Sequence, residues 1–252
     1  MTSPPPTMSD AELAALIAGG AGEILLGIRH GELLRRRLLG DLGDAMAQAW
    51  IGQVLAAQRP HDAVLSEEAD DVGDRATAER VWIIDPLDGT SEYGMGTSHW
   101  AVHVALTVGG RPEVAAVSLP AMGELFRSDE VPMVDGPLSG RIAVSRYGHS
   151  YPSAAVAQRL GLQAVHIGSA GAKAMAVVRG DVDAYVHAGG QYEWDNCAPV
   201  GVALAAGLHC SRLDGSEIVY NNPQPYLPDF LICRPEIADD ALDAITTDFA
   251  GW

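Results

Sequence analysis

The segment 82–93 reads WIIDPLDGTSEY and constrains this chain more than any other stretch. Its apolar start predicts a buried strand over Val81–Ile84 that delivers Asp85 at its end. Pro86 fixes the backbone direction and removes one N–H donor. Asp88 follows three residues after Asp85, so a turn can aim both carboxylates at one point. The Leu87 carbonyl lies between them as a third oxygen, Gly89 permits close backbone approach, and Thr90 adds a hydroxyl. Hard oxygen donors beside backbone N–H groups suit Mg²⁺ and phosphate. An ordinary surface turn is the competing reading, because Asp-Pro and Asp-Gly are common turn dipeptides.

Two other places repeat the pattern. Ala63–Ser66 is a short apolar strand that runs into Glu67-Glu68. Trp194-Asp195 follows the Gly-rich Ala188-Gly189-Gly190 and opens a helix whose later positions Ala198, Val202, Ala205 and Ala206 are apolar. Singly, these acids read first as a solvated strand end and a helix N-cap. Jointly, they suggest a multi-metal carboxylate site. The charge balance adds to this: 33 acidic against 16 basic residues leave a formal −17. Such a surface repels phosphate backbones, which argues against nucleic acid as a partner. A phosphate ester would then need bound cations to approach the acids.

Other features are plainer. His99, His103, His166, His187 and His209 show no HxxxH or HExxH spacing, so zinc is not expected, and His187 reads as a packed residue. Cys197, Cys210 and Cys233 form no CxxC and suggest free thiols in a reducing cytoplasm, with Cys197 a small buried residue. Gly94-Met95-Gly96 and Gly168–Gly171 lack nucleotide-loop spacing. The start, MTSPPPT, has no signal-peptide character. No apolar run approaching the ~20 residues of a membrane span is expected.

The expected organisation is a flexible arm over residues 1–8, an α+β half over 9–135 and a second half over 136–252, with turn-rich 128–140 between them. Ser9 with Glu12 forms a capping box for a helix from Asp10 to about Arg29, and a second helix spans Asp41–Gln58. Arg35–Arg37 lies between them as a solvated helix face or a polyanion patch. Strands are expected over Trp100–Val108, Glu113–Ser118, Arg141–Ser145, Ala184–His187 and Phe230–Cys233. Helices are expected over Ser153–Leu160, Ser169–Val178, Asp195–Ala206 and Ile237–Phe249. The mixed order favours an α+β layered sandwich over a doubly wound sheet.

Asp85–Thr90 (DPLDGT) resembles the first signature of the inositol monophosphatase superfamily, DPxDGT. Trp194-Asp195 with Ala198 and Ala206-Gly207 resembles the second, and Glu67-Glu68 falls where the family carries its acid pair. The likeness runs from about Ala11 to Ala244. Ala63–Ala69, Ile167–Val177, Asp183–Asp195 and Ser211–Gly215 are most similar to the CysQ-type 3'(2'),5'-bisphosphate nucleotidases.

The resemblance implies a layered αβαβα sandwich and a Mg²⁺-dependent phosphomonoesterase. Its implied reaction removes the 3'-phosphate of 3'-phosphoadenosine 5'-phosphate, leaving AMP. The alternative substrate is an inositol or sugar phosphate. Glu67, Asp85 and the Leu87 carbonyl would hold one ion, Asp85, Asp88 and Asp195 a second, with a third near Glu67. Asp44, Glu67 and Thr90 take the catalytic roles. Asp88, Gly89, Thr90, Ser169, Lys173 and Asp195 take the substrate-binding ones, with Lys173 facing a second phosphate. An exposed helix lysine is the plain alternative for Lys173, and a plain N-cap for Ser169. Ser91 departs from the pattern, since the nucleotidases often carry Lys or Arg after the threonine. The resemblance also implies a cytoplasmic, lithium-sensitive homodimer, with no membrane partner expected.

Overall fold

The computed structural model describes residues 8–69, 75–146 and 150–249. Apart from Met8, the expected N-terminal arm lies outside the described residues. Helix α1 (Asp10–His30) starts at the expected capping box. The Ser9 hydroxyl accepts the Glu12 N–H at 3.2 Å, and the Glu12 carboxylate accepts the Ser9 N–H at 2.9 Å. Contrary to expectation, α1 is by length and composition apolar enough to cross a membrane, with a mean hydropathy of 1.6. Here it lies on a sheet instead, with Leu13, Ile17, Ala21 and Leu25 buried. Burying each large aliphatic side chain contributes roughly 1.5–3 kcal/mol, which fastens the helix to the protein core.

Helix α2 (Arg37–Gln58) begins one turn before the expected Asp41. Leu39 and Gly40 are buried there, and a Cβ on Gly40 would lie 2.6 Å from the Thr90 methyl. That packing extends the helix beyond what local spacing predicts.

The first sheet is ordered β1 (Ala63–Ser66), β2 (Arg80–Asp88), β3 (Ala101–Val108), β4 (Arg111–Leu119), β5 (Glu124–Arg127). Only the β1–β2 pair is parallel. Helix α3 (Thr90–Gly94) follows β2 directly. The second sheet contains β6 (Arg141–Ser145), β7 (Gln163–Ile167), β8 (Ala184–Tyr192), β9 (His209–Ser211) and β10 (Tyr226–Cys233), in the spatial order β7-β6-β8-β10-β9. Helices α4 (Tyr151–Leu160), α5 (Ala170–Val178), α6 (Glu193–Ala205) and α7 (Ala238–Phe249) complete the fold. Sequence patterning missed α3, β5, β7 and β9. Each is five residues or shorter, three of them strands at a sheet edge, so neighbours rather than propensity define them.

Strand alternation generates the layers. On the first sheet, Trp82, Ile84, Val102, Val104 and Leu106 face α1 and α2. Val81, Ile83, Ala101 and Ala105 face the opposite way, toward α5 and α6. The second sheet covers those helices with Tyr185, Phe230 and Ile232, and sends Ile142, Val144, Val186 and Leu231 outward to α4 and α7. The result is an αβαβα sandwich with α5 and α6 in the middle layer.

Candidate active site

In a regular strand, residues three apart point to opposite faces. Asp85 and Asp88 escape this rule. On β3, Asp85 pairs with His103 and Asp88 with Ala101, so three steps on β2 oppose two on β3. The extra residue is a β-bulge, which restores the parity and turns both carboxylates toward the middle layer. Pro86 sits inside the bulge, where its missing N–H removes no ladder bond. The expected turn after Ile84 is therefore a bulged strand that runs to Asp88. Carboxylate oxygens of Asp85, Asp88 and Asp195 converge within 4.8 Å of one another.

Asp88 is cradled by the first turn of α5. Its two oxygens accept the N–H groups of Ala170 at 3.0 Å and Gly171 at 2.7 Å, orphan donors of a helix start. His103 Nε2 lies 3.3 Å from the same carboxylate. Burial alone would raise Asp88, yet His103 and the two N–H groups outweigh it and leave the pKa at about 2.

Asp85 shows the opposite balance. Burial, then the nearby Glu67, Asp88 and Asp195, push it well above the carboxylate range, against one Leu87 N–H bond of 3.0 Å. Asp195 is not the N-cap of α6. It stands in the first turn and accepts the Tyr192 N–H at 2.7 Å, and burial together with Asp88 raises it to about 6 despite that bond, His103 and Lys173.

Glu67 leaves β1 at the mouth of the cluster. Its residue surface touches solvent, but protein around its carboxyl, with Asp195, Asp44, Glu68 and Asp88, raises it to about 7. Asp44 is buried on α2 and also raised to about 7, by burial and Glu68 against the Thr90 hydroxyl. Its Oδ1 is buried without a protein partner. The Thr90 hydroxyl also lies 3.2 Å from the Leu87 carbonyl, to which it donates. Crowded oxygens that resist ionisation and an orphaned Asp44 oxygen fit a hard divalent cation with ordered water. An acidic group capable of binding metal is thus present.

A cavity of about 430 Å³ adjoins the cluster, lined in part by Asp88, Ser169, Lys173, Tyr185, His187 and Asp195. Lys173 is buried, not the exposed helix lysine. It donates to the Ser169 carbonyl and lies 5.1 Å from the Tyr185 ring centroid. Burial lowers its pKa, while Asp88, Glu92 and Asp195 pull it back up. Ser169 caps α5, accepting the Ala172 N–H at 3.0 Å. A Cβ on Gly89 would come within 2.9 Å of the Ser169 side chain, and Gly89 has φ +85°, so glycine is doubly required. His187 stacks on Phe230 at 5.5 Å while also lining the cavity.

Sequence reasoning passed over His103 and Tyr185. His103 is fully buried and bridges two motifs, since its Nδ1 lies 3.1 Å from the Trp194 carbonyl. The available signal was a histidine on the inward-facing positions of the otherwise apolar strand WAVHVALTV.

Residues 41–237 match the inositol monophosphatase family. The chain is 52% identical over 256 residues to a 3'-phosphoadenosine 5'-phosphate phosphatase of Mycobacterium leprae (strain TN), covering 94% of each protein. It is 28% identical over 201 residues to the 3'(2'),5'-bisphosphate nucleotidase CysQ of Salmonella typhimurium, covering 73% of this chain and 80% of that one. In structure, an inositol monophosphatase from Anabaena superposes with a TM-score of 0.75 at 22% identity, over 96% of this chain and 98% of that one.

Proposed function

The chain belongs to the inositol monophosphatase family, and from that premise we propose that it hydrolyses the 3'-phosphate of 3'-phosphoadenosine 5'-phosphate to AMP and phosphate. The observation that carries this reading is the buried Lys173 in the cavity beside Asp88 and Asp195. A cation held there suits a substrate with a second phosphate. The name of the Mycobacterium leprae relative supports the same substrate.

Glu67, Asp85 and the Leu87 carbonyl would hold one Mg²⁺, and Asp85, Asp88 and Asp195 a second, with a third near Glu67. Bound Mg²⁺ supplies positive charge to the four carboxylates and acidifies water for attack. The N–H groups of Gly89 and Thr90 hold phosphate oxygens. Thr90 orients the attacking water, and Asp44, with a pKa of about 7, takes its proton. The water oxygen bonds to phosphorus as the bond to the 3'-oxygen breaks, and the 3'-oxygen recovers a proton from solvent. Lys173 and Ser169 hold the second phosphate and its sugar. Residues 9–135 contribute Glu67, Asp85 and Asp88 to this site, and 136–252 contribute Ser169, Lys173 and Asp195. A cytoplasmic homodimer belongs to the same proposal, on the strength of the family resemblance.

Ser91 favours a second reading, an inositol or sugar phosphate, because it leaves the position after Thr90 without a cation. Phosphate release separates the two, measured on 3'-phosphoadenosine 5'-phosphate, inositol 1-phosphate and fructose 1,6-bisphosphate with Mg²⁺, with EDTA and with Li⁺. Preference for the adenosine bisphosphate, lost in EDTA, is expected. Preference for either other ester would move the substrate assignment to the second reading.

A further inference from the structure

A second cavity, of about 1190 Å³, opens between the α1–α2 connection and α3. Arg29, Arg35, Arg36 and Arg37 line it together with Thr90 and Ser91, whereas Lys173, Asp88 and Asp195 line the other cavity. In a chain with 33 acids and 16 bases, four arginines on one cavity are a marked concentration.

Their bonding differs. Arg29 is engaged with the carbonyls of Thr97 at 2.8 Å and Gly96 at 2.7 Å. Arg37 meets Asp41 at 3.5 Å. Among the described residues, the side chains of Arg35 and Arg36 have no ion pair and no hydrogen bond. Elsewhere Arg59, Arg80, Arg127, Arg179, Arg212 and Arg234 each hold an acid within 3.0 Å. Among the described residues, Arg141, Arg146 and Arg159 likewise hold no acid, so what distinguishes Arg35 and Arg36 is that two unpaired guanidinium groups are adjacent and border one cavity. Glu32 and Asp41 also border it, and Asp41 is bound to Arg37.

The backbone that carries these arginines is held in place. Glu32 has φ +53° and Arg36 φ +54°, in the left-handed region that side chains disfavour. The Arg36 N–H donates to the Gly94 carbonyl at 3.0 Å, and a Cβ on Gly94 would lie 2.5 Å from the Arg36 oxygen. The connection is therefore clamped onto the end of α3, in a conformation of the strained kind that clusters at ligand sites.

We propose that this cavity is an anion site, separate from the carboxylate cluster, that takes a phosphate group between Arg35 and Arg36. Guanidinium groups match phosphate oxygens as paired donors. The hydroxyl of Ser91 adds a neutral donor on the facing wall. Thr90 borders this cavity as well as serving the reaction assigned above, but the proposed phosphate contacts come from Arg35, Arg36 and Ser91, none of which takes part in that reaction.

The test is a ¹⁵N-correlation titration of the full chain in EDTA with inorganic phosphate, against sodium chloride at matched ionic strength. Saturable shifts are expected at Ser91 and Gly94–Thr97. They should weaken about tenfold or more in R35A/R36A, the equivalent of losing a charged hydrogen bond, and recover in part in R35K/R36K. Both residues are exposed, so the variants should keep the wild-type circular dichroism. Shifts confined to Ser169–His187, the same response to chloride, or unchanged affinity in R35A/R36A would overturn the proposal. A parallel titration with AMP identifies the source of the phosphate. Displacement of inorganic phosphate from 91–97 marks a seat for nucleotide phosphate, and AMP shifts limited to Lys173 and His187 mark a seat for the free ion.

Discussion

His103 Nε2 lies 3.3 Å from Asp88 Oδ2, and through its other nitrogen, 3.1 Å from the Trp194 carbonyl, the same ring ties β3 to the start of α6. Among the described residues, no other β3 side chain makes a polar contact with both motifs. His103→Ala should therefore leave a buried carboxylate and a buried carbonyl short of a partner, costing about 1–3 kcal/mol. Urea unfolding in EDTA measures this. A loss no larger than that of a surface substitution would show the ring to be a passive filler. Gly171→Ala should do comparable harm from the other side, since its Cβ would stand 2.2 Å from Nε2.

Asp85 and Asp88 should respond oppositely to neutralisation. Asp85 is raised by burial and by its acidic neighbours, so Asp85→Asn should raise the thermal midpoint of the metal-free protein. Asp88 is held at about 2 by His103 and two N–H groups despite its burial, so Asp88→Asn should lower it. Both variants should remain folded and lose Mg²⁺-dependent phosphate release. Full activity in either would remove that residue from the metal assignment.

The pH dependence of the metal-free protein follows from the same balance. Glu67 and Asp44 at about 7 and Asp195 at about 6 all exceed ordinary values of 4.5 for Glu and 3.8 for Asp. The folded state thus binds these protons more tightly than the unfolded chain. Their contribution is full below the ordinary values and is lost as pH rises toward about 7. Asp88 runs the other way, contributing above 3.8 and losing that contribution as pH falls through about 2. The urea midpoint in EDTA should therefore decline from pH 5 to pH 8, and saturating Mg²⁺ should flatten the decline. A midpoint that climbs over this range in EDTA would contradict the crowded-carboxylate account.

Lys173→Ala should raise KM for 3'-phosphoadenosine 5'-phosphate about tenfold or more, the scale of one charged hydrogen bond. A monophosphate substrate should be affected much less. Steady-state kinetics on both esters reads the difference, and equal effects would assign Lys173 to packing under Tyr185 instead.

Much of this site is written in short stretches of sequence. The capping box at Ser9 and Glu12, the strands that deliver Glu67 and Asp85, and the Trp194-Asp195 pair depend on near neighbours, so local pattern and motif spacing reveal them. The αβαβα layering was legible through the resemblance those motifs carry. Arg35–Arg37 was visible as a charge run, but its solvated-face reading did not reveal the cavity it borders.

The remainder needed the partner strands and helices. No local rule places a bulge between Asp85 and Asp88, because the extra residue exists only relative to β3. The burial of Lys173 depends on the covering second sheet, and the early start of α2 on Thr90 packing against Gly40. By itself, the sequence determined that carboxylates would gather at the ends of buried strands. The tertiary structure alone decided their chemical states. Asp85 and Asp88 carry the same side chain three residues apart, yet one resists ionisation and the other holds its charge. The physical reason is the company each keeps: the fold surrounds Asp85 with other acids and leaves His103 4.0 Å away, and gives Asp88 the same imidazole at 3.3 Å and the first N–H groups of a helix.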